Sequence, residues 1–337
     1  MRKAARTVKA PPGARKAPLP EFIPPQLATL VKEPPSGERW FHELKFDGYR
    51  MLCRIDRGDV QFWSRNGRDW TAKFPVIAEA LKLLPATTAF LDGEIVVVDA
   101  QGRSSFQRLQ RSMGKAITSG FVYAVFDLMY LDGLDLRKTP LRLRKVLLEK
   151  LVHGARELIR YSEHFEGSGD TFFRHACEYG IEGIVSKLAD SPYESTRSRN
   201  WLKVKCNNAQ EFVIAGYTPS SKGLPGFGSL VLGVYDKGKL QYAGRVGTGF
   251  TFKQRAELKK QLDSLSRDKS SFAAVPKDPG LRETHWAEPK LVAEVAFTEW
   301  TSDGSIRHPS FQGLRDDKNP KEIVREATGD HRQGRKK

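Results

Sequence analysis

The sequence predicts an α+β protein of two domains: a larger one of antiparallel sheets and helices, then a small closed β-barrel of the OB type. Three observations lead there. The chain has 337 residues, 39% of them hydrophobic, enough for about two cores of ordinary size. Up to residue 207, strand-like apolar runs alternate with helical stripes. From Gln210 onward, short strands separated by Gly-rich turns share about 115 residues with one charged helix, a pattern that an OB barrel explains economically.

Residues 1–25 read as a disordered basic arm. Arg2, Lys3, Arg6, Lys9, Arg15 and Lys16 precede any acidic residue, and Pro11, Pro12, Pro18, Pro20, Pro24 and Pro25 oppose regular structure. Such an arm either touches phosphates or is an inert leader. The larger domain is expected over 26–207. Its most unusual stretch is Glu43-Leu44-Lys45-Phe46-Asp47-Gly48-Tyr49-Arg50. Read as a strand entering a turn at Asp47-Gly48, it places Glu43, Lys45 and Asp47 on one face. Either the two carboxylates neutralise Lys45 on a wet edge strand, or Lys45 is a nucleophile, which attacks only when deprotonated.

Further on, residues 60–63 read as a strand ending in the turn Ser64-Arg65-Asn66-Gly67. Ile77, Leu81 and Leu84 give residues 74–84 a helical face closed by Pro85. Asp92-Gly93 reads as a turn feeding a buried strand, with Glu94 at its entry either paired structurally or aimed at a ligand. Residues 121–131 form another strand, ended by Asp132-Gly133. Thr139 is the expected N-cap of a helix with Pro140 at its first position; Leu143, Leu147, Leu148 and Leu151 form its core stripe. Asp170 caps a short helix that Gly180 ends. Residues 182–187 follow, and then 201–205 alternate cleanly, with Trp201, Lys203 and Lys205 on one side and Leu202 and Val204 on the other. Two lysines on one strand face are an edge protected from aggregation or a clamp for phosphates. The barrel, expected over 208–325, has strands near 212–217, 230–235, 240–246 and 291–297, a helix near 253–265, and a basic irregular stretch over 307–318. Residues 326–337 form a basic tail.

The formal net charge of +16 favours a polyanionic partner, most simply nucleic acid. No apolar run approaches the roughly 20 residues of a membrane span, and no apolar core follows the basic N-terminus as in a secretory signal. Cys53, Cys177 and Cys206 form no CxxC pair, zinc spacing or disulfide framework, which suits a reducing compartment. Gly114-Lys115 is followed by Ala116, so there is no P-loop. There is also no GxGxxG before a helix, no kinase motif set and no HExxH.

Taken in order over residues 26–320, the motifs resemble the ATP-dependent DNA ligases of the covalent nucleotidyltransferase superfamily. The resemblance implies that Lys45, in Lys45-Phe46-Asp47-Gly48, is the nucleophile toward ATP, with Arg50 beside it. It gives Arg65 the nick 5′-phosphate, Glu94 the ribose or metal shell, Phe126 the adenine face, and Glu182 the metal. Lys187 joins the nucleotide site, with Glu43 before the nucleophile. Lys203 and Lys205 grip the α-phosphate, while Arg315 and Lys318 orient pyrophosphate from the OB domain. ATP and Mg2+, with Mn2+ as substitute, are the implied cofactors. Within the family the chain resembles the ligase module of bacterial multifunctional end-joining ligases, through Ser-Arg-Asn-Gly, Phe-Asp-Leu-Met-Tyr-Leu-Asp-Gly and Arg-His-Pro-Ser-Phe-Gln-Gly-Leu-Arg. It implies nicked duplex DNA as substrate, a Ku-type partner, a separate polymerase or nuclease, and a monomer in the bacterial cytoplasm at the nucleoid. The chain has no room for those other modules and is expected to be free-standing or excised. An RNA ligase or GTP-using capping enzyme, and a non-catalytic basic DNA-binding scaffold, are the rival readings.

Overall fold

The computed structural model describes residues 10–113, 120–155, 157–220, 226–274 and 278–326. Residues 1–9 of the expected arm and 327–337 of the expected tail lie outside these. The chain divides into two units, the first running to Cys206 and the second beginning at Asn207.

In chain order the first unit contains β1 (Arg15–Lys16), β2 (Leu27–Leu30), β3 (Trp40–Leu44), β4 (Tyr49–Asp56), β5 (Asp59–Ser64), α1 (Pro75–Leu81), β6 (Thr88–Val97), α2 (Phe106–Met113), β7 (Phe121–Leu131), β8 (Leu134–Asp135), α3 (Leu141–Val152), β9 (Ile159–Tyr161), β10 (Phe165–Glu166), α4 (Gly169–Glu178), β11 (Gly183–Leu188) and β12 (Arg197–Lys205). They form two sheets. One has the order β1-β8-β7-β6-β4-β5 with β9 alongside β7, and the other β10-β3-β11-β12-β2. All pairs are antiparallel except β7 with β9 and β12 with β2. Met51, Cys53, Phe62, Leu91 and Val125 of the first sheet pack with Ile77 and Leu81 of α1 and Leu148 of α3. A separate cluster joins Leu52, Phe90 and Met129 of the first sheet to Trp201 of the second.

Several expectations change here. Residues 10–25 are ordered rather than disordered. Arg15 and Lys16 pair with Asp135 and Leu134, the Ala17 carbonyl accepts from the Tyr130 hydroxyl at 2.7 Å, and Ile23 is buried. The prolines forbid helix but suit extended chain, whose carbonyls remain free to accept. Asp92-Gly93 is not a turn but lies inside β6, where a Cβ on Gly93 would sit 2.5 Å from the Tyr123 ring. The α3 helix starts one residue later than expected, with Pro140 rather than Thr139 at its N-cap position. Ser168, not Asp170, caps α4 by accepting from the Thr171 N–H. Cys177 and Cys206 are joined by a disulfide, their Cα atoms 5.3 Å apart, where the spacing showed no disulfide. The turn at Gly180 brings the end of α4 beside the end of β12, which a separation of 29 residues does not reveal.

The second unit contains β13 (Ala209–Thr218), β14 (Ser229–Asp236), β15 (Lys239–Val246), α5 (Phe252–Asp263), β16 (His285–Ala296) and β17 (Ser310–Leu314). Its sheet is antiparallel in the order β15-β14-β13-β16-β17. The β17 strand falls in the stretch expected to be irregular. A capping box between Thr251 and Gln254 starts α5. Leu258 and Leu262 of this helix meet Phe212, Ile214 and Leu232 in the unit's core. Among the described residues no helix is long and apolar enough to cross a membrane.

Helix α3 buries two charges: Arg144 is 0% and Lys145 1% exposed, while Val146 is 45% exposed. Arg144 forms a two-pronged bond to Asp127 of β7 at 2.7 and 2.9 Å and donates to the Thr139 and Ser191 carbonyls. Replacing Arg144 with Met strands the Asp127 carboxylate in a buried site, a loss of about 3–5 kcal/mol. Urea unfolding of the variant at neutral pH is expected to show a midpoint lowered accordingly. An unchanged midpoint would show that the pair contributes nothing net.

Candidate active site

The site begins where the chain leaves one sheet for the other. β3 ends at Leu44 and β4 starts at Tyr49, so Lys45 to Gly48 form the crossing. The Lys45 N–H donates to the Gly183 carbonyl at 2.9 Å. Its ammonium lies 2.5 Å from Glu182 Oε2, with both side chains about four-fifths buried. Asp47 accepts from the Phe106 N–H at 2.9 Å, and its own N–H donates to Ser104 Oγ at 3.0 Å. A Cβ on Gly48 would lie 2.3 Å from the Ile95 carbonyl oxygen, so only glycine fits.

The strand-face expectation fails at this point. Glu43 does not sit beside Lys45. It is buried, with Lys145 3.0 Å from Oε1, and Ser162 at 2.8 Å and Lys187 at 3.0 Å from Oε2. Burial alone would raise its pKa, but Lys145 and Lys187 outweigh that and hold it below the usual carboxylate range. The edge-strand neutralisation of Lys45 by Glu43 is therefore set aside.

Register places the other strand residues. Val185 of β11 lies between Glu43 of β3 and Lys203 of β12, while Gly183 lies opposite Lys205. Both lysines are half-buried. Arg50 of β4 lies opposite Glu94 of β6. Its guanidinium makes a fork with Asp92 at 2.9 and 2.5 Å and donates to the Gln26 carbonyl at 2.7 Å. Burial works against this charge, and Asp92 more than restores it, so Arg50 stays above its ordinary pKa. Arg65 follows Ser64, which pairs with Met51 next to Arg50. Phe126 and Trp201 meet edge to face at 6.0 Å between ring centres. The Lys187 ammonium lies 4.3 and 4.4 Å from those two rings, and the Arg50 guanidinium carbon 5.3 and 5.6 Å.

Arg315 and Lys318 belong to the second unit. Arg315 is buried, forked onto Asp317 at 2.8 and 2.9 Å and bonded to Glu294 at 2.9 Å. Lys318 pairs with Glu211 at 2.9 Å. Sequence reasoning missed Asp92, Gln26, Tyr193, Lys145 and Ser162 as members of the site. Gln26 is fully buried; its N–H donates to Tyr193 Oη at 3.0 Å, and Tyr193 donates to Asp92 at 2.7 Å. The one available signal was Asp92, in the same four-residue motif as Glu94.

The donor set suits an adenine nucleotide: an aromatic ring flanked by cations, lysines on neighbouring strands, and a carboxylate at the nucleophile. Among the described residues no group of three or more His, Cys, Asp and Glu side chains could cage a metal. Glu182 or Glu94 could hold a hard divalent ion only with oxygens of the nucleotide and water, as Mg2+ commonly binds.

A nucleotidyltransferase domain followed by an OB-fold domain is the class that this fold and site define. Residues 25–205 match the family model described as ATP dependent DNA ligase domain, and residues 224–318 match ATP dependent DNA ligase C terminal region. The chain belongs to the ATP-dependent DNA ligases. It is 39% identical over 327 residues to the multifunctional non-homologous end joining protein LigD of Pseudomonas aeruginosa, covering 96% of this chain and 39% of that protein. It is also 39% identical over 292 residues to LigD of Mycobacterium tuberculosis H37Rv, covering 86% of this chain and 38% of that protein. The chain thus spans about two-fifths of the length of these curated relatives. A solved mycobacterial DNA ligase D, complexed with ATP and MES, is 38% identical, with 90% of this chain and 98% of that chain covered and a TM-score of 0.66.

Asp317 sits in a buried fork, where Arg315 overcomes the effect of burial and holds its pKa below the usual carboxylate value. Its contribution to stability is full above the unfolded value of about 3.9 and is lost as pH falls through the lower folded value. Asp317→Asn is therefore expected to lower the denaturation midpoint clearly at pH 7, and the gap to the unsubstituted protein should close in acid. A gap independent of pH would show that shape, not charge, holds the turn.

Proposed function

We propose that this chain seals nicks between a 3′-hydroxyl and a 5′-phosphate in duplex DNA, using ATP. The observation that carries the reading is Lys45, fixed at the sheet crossing with Glu182 at 2.5 Å. In the first step the Lys45 amine attacks the α-phosphorus of ATP; an N–P bond forms and the bond to pyrophosphate breaks. The amine must first give up its proton, and Glu182 is placed to take it. Lys203 and Lys205 neutralise the charge that grows on the α-phosphate. Phe126 takes the face of the adenine, with Arg50, Glu94 and Lys187 around the nucleoside. AMP then passes to the DNA 5′-phosphate near Arg65, and the 3′-hydroxyl displaces it. Mg2+, held at Glu182 or Glu94, would screen the phosphates when bound. Arg315 and Lys318 serve the leaving pyrophosphate, for which the Lys318–Glu211 pair must open.

The similarity to LigD proteins supports end joining as the setting, with a Ku-type end-binding partner and separately supplied end-processing activities, in the bacterial cytoplasm. The excess positive charge supports gripping the duplex through its phosphates, without reading bases.

Incubation with α-32P-ATP and Mg2+ without DNA is expected to leave a labelled protein band of 38.0 kDa on a denaturing gel, discharged by pyrophosphate. Lys45→Ala should carry no label. A labelled Lys45→Ala variant would move the nucleophile elsewhere, and labelling by GTP in place of ATP would favour a capping-type enzyme. Sealing of nicked DNA, and not of nicked RNA, completes the assignment. Binding to nicked duplex should weaken steeply between about 50 and 200 mM salt, by orders of magnitude if six or more phosphates are contacted. A flat response would remove backbone gripping.

A further inference from the structure

Two consecutive cations on one turn of α3 point to two carboxylates on different sheets. Arg144 goes to Asp127 of β7, and Lys145 to Glu43 of β3. Taking both charges out of water is costly, so packing alone is a poor reason for them. Lys145 also donates to the Ser162 carbonyl at 2.6 Å and stands 4.3 Å from the centre of the Tyr161 ring, so its ammonium is held from several sides. Glu43 divides its oxygens between Lys145 on one and Ser162 and Lys187 on the other. Lys187 therefore shares its counter-ion with a second, deeper lysine.

We propose that Lys145 is a positioning residue of the nucleotide site: by holding Glu43 from behind, it fixes the Lys187 ammonium against Phe126 and Trp201 and leaves it incompletely neutralised, so that positive charge remains for the nucleotide. This rests on the reading of Phe126 and Lys187 as nucleotide-binding residues. The charged groups that face Lys187 are Glu43 from β3, Lys145 from α3 and Asp127 from β7, while Arg50 of β4 is a further cation on the same two rings. Burial pushes the Lys187 pKa down to about 8, and Lys145 lowers it too, against the opposing pull of Glu43 and Asp127. Below that pH the site offers a full positive charge; above it the charge fades.

The test is the pH dependence of KM for ATP and of kcat in nick sealing, from about pH 7 to 9.5. Unsubstituted protein is expected to show KM rising above about pH 8. Lys145→Met releases Glu43 to Lys187 alone, so the rise should move to higher pH by on the order of one unit. Glu43→Gln removes the main stabilising charge, so the rise should move to lower pH. Lys145→Arg keeps the charge and should restore the original profile. Opposite shifts from two neighbouring substitutions are not what loosened packing would give; a packing defect raises KM alike at every pH. KM curves that merely scale, or that shift the same way in both variants, overturn the proposal. If Lys145→Met fails to fold, Lys145→Gln is read in its place, with the same shift to higher pH expected, and an unmoved profile overturns the proposal. An unsubstituted protein that takes label from ATP but shows no alkaline rise in KM also overturns it, while leaving the ligase reading intact. A protein that takes no label at all loses both.

Discussion

Between Leu44 and Tyr49 the backbone passes from one sheet to the other, and the active site depends on how few residues make that passage. Four residues must be placed with no strand of their own to order them. Lys45 is tied by its N–H to Gly183, Asp47 binds the start of α2 and Ser104, and Gly48 lies so close to the Ile95 carbonyl that no side chain fits. The consequence is a lysine whose backbone is tied at the crossing while its ammonium meets Glu182. Flanking strands then supply the remaining residues by register alone: Lys205 opposite Gly183, and Arg50 opposite Glu94. Preorganisation of this kind lowers a barrier without a cost at the moment of reaction.

Behind the crossing, charge is arranged in depth. Arg50, Arg144, Lys145 and Lys187 meet Asp92, Asp127 and Glu43. Glu94, opposite Arg50, adds a further carboxylate, and the rings of Phe126 and Trp201 lie against Arg50 and Lys187. A fully unpaired interior cation would give up its proton. Sharing carboxylates, as Lys145 and Lys187 share Glu43, keeps each cation partnered.

Much of this was legible in the sequence, and the failures have physical causes. Alternation over 201–205 placed Lys203 and Lys205 on one face because Leu202 and Val204, which alternate with them, are apolar and buried. Asp132-Gly133 was legible because both residues take positive φ, at 42° and 89°, and few residue pairs tolerate that. Alternation failed for Glu43 and Lys45 because the strand ends between them, and parity does not carry across a crossing. Arg144 and Lys145 were invisible because helical periodicity assigns charged positions to solvent; only the facing carboxylates, far away in sequence, bring them inside. Residues 10–25 of the proline-rich arm were misjudged because composition measures what a segment cannot form alone, not what an existing sheet edge can hold. The Cys177–Cys206 pair depends on a tertiary meeting of α4 and β12 that no spacing encodes.

The second unit repeats the same economy at Arg315. Glu211 and Glu294 face each other across β13 and β16, a like-charge pair that destabilises a sheet unless it is covered. Arg315 covers Glu294, and Lys318 covers Glu211. Arg315 cannot leave easily, since its fork to Asp317 also closes the turn in which the Lys318 N–H donates to the Arg315 carbonyl at 3.2 Å. The half-buried Lys318 is the more readily withdrawn of the two charges. Withdrawing it would weaken the cover on Glu211 and restore part of the repulsion with Glu294. The two residues that sequence pattern treats as equals are therefore held differently: Arg315 is locked into the turn by its fork to Asp317, and Lys318 is tied through its pair with Glu211.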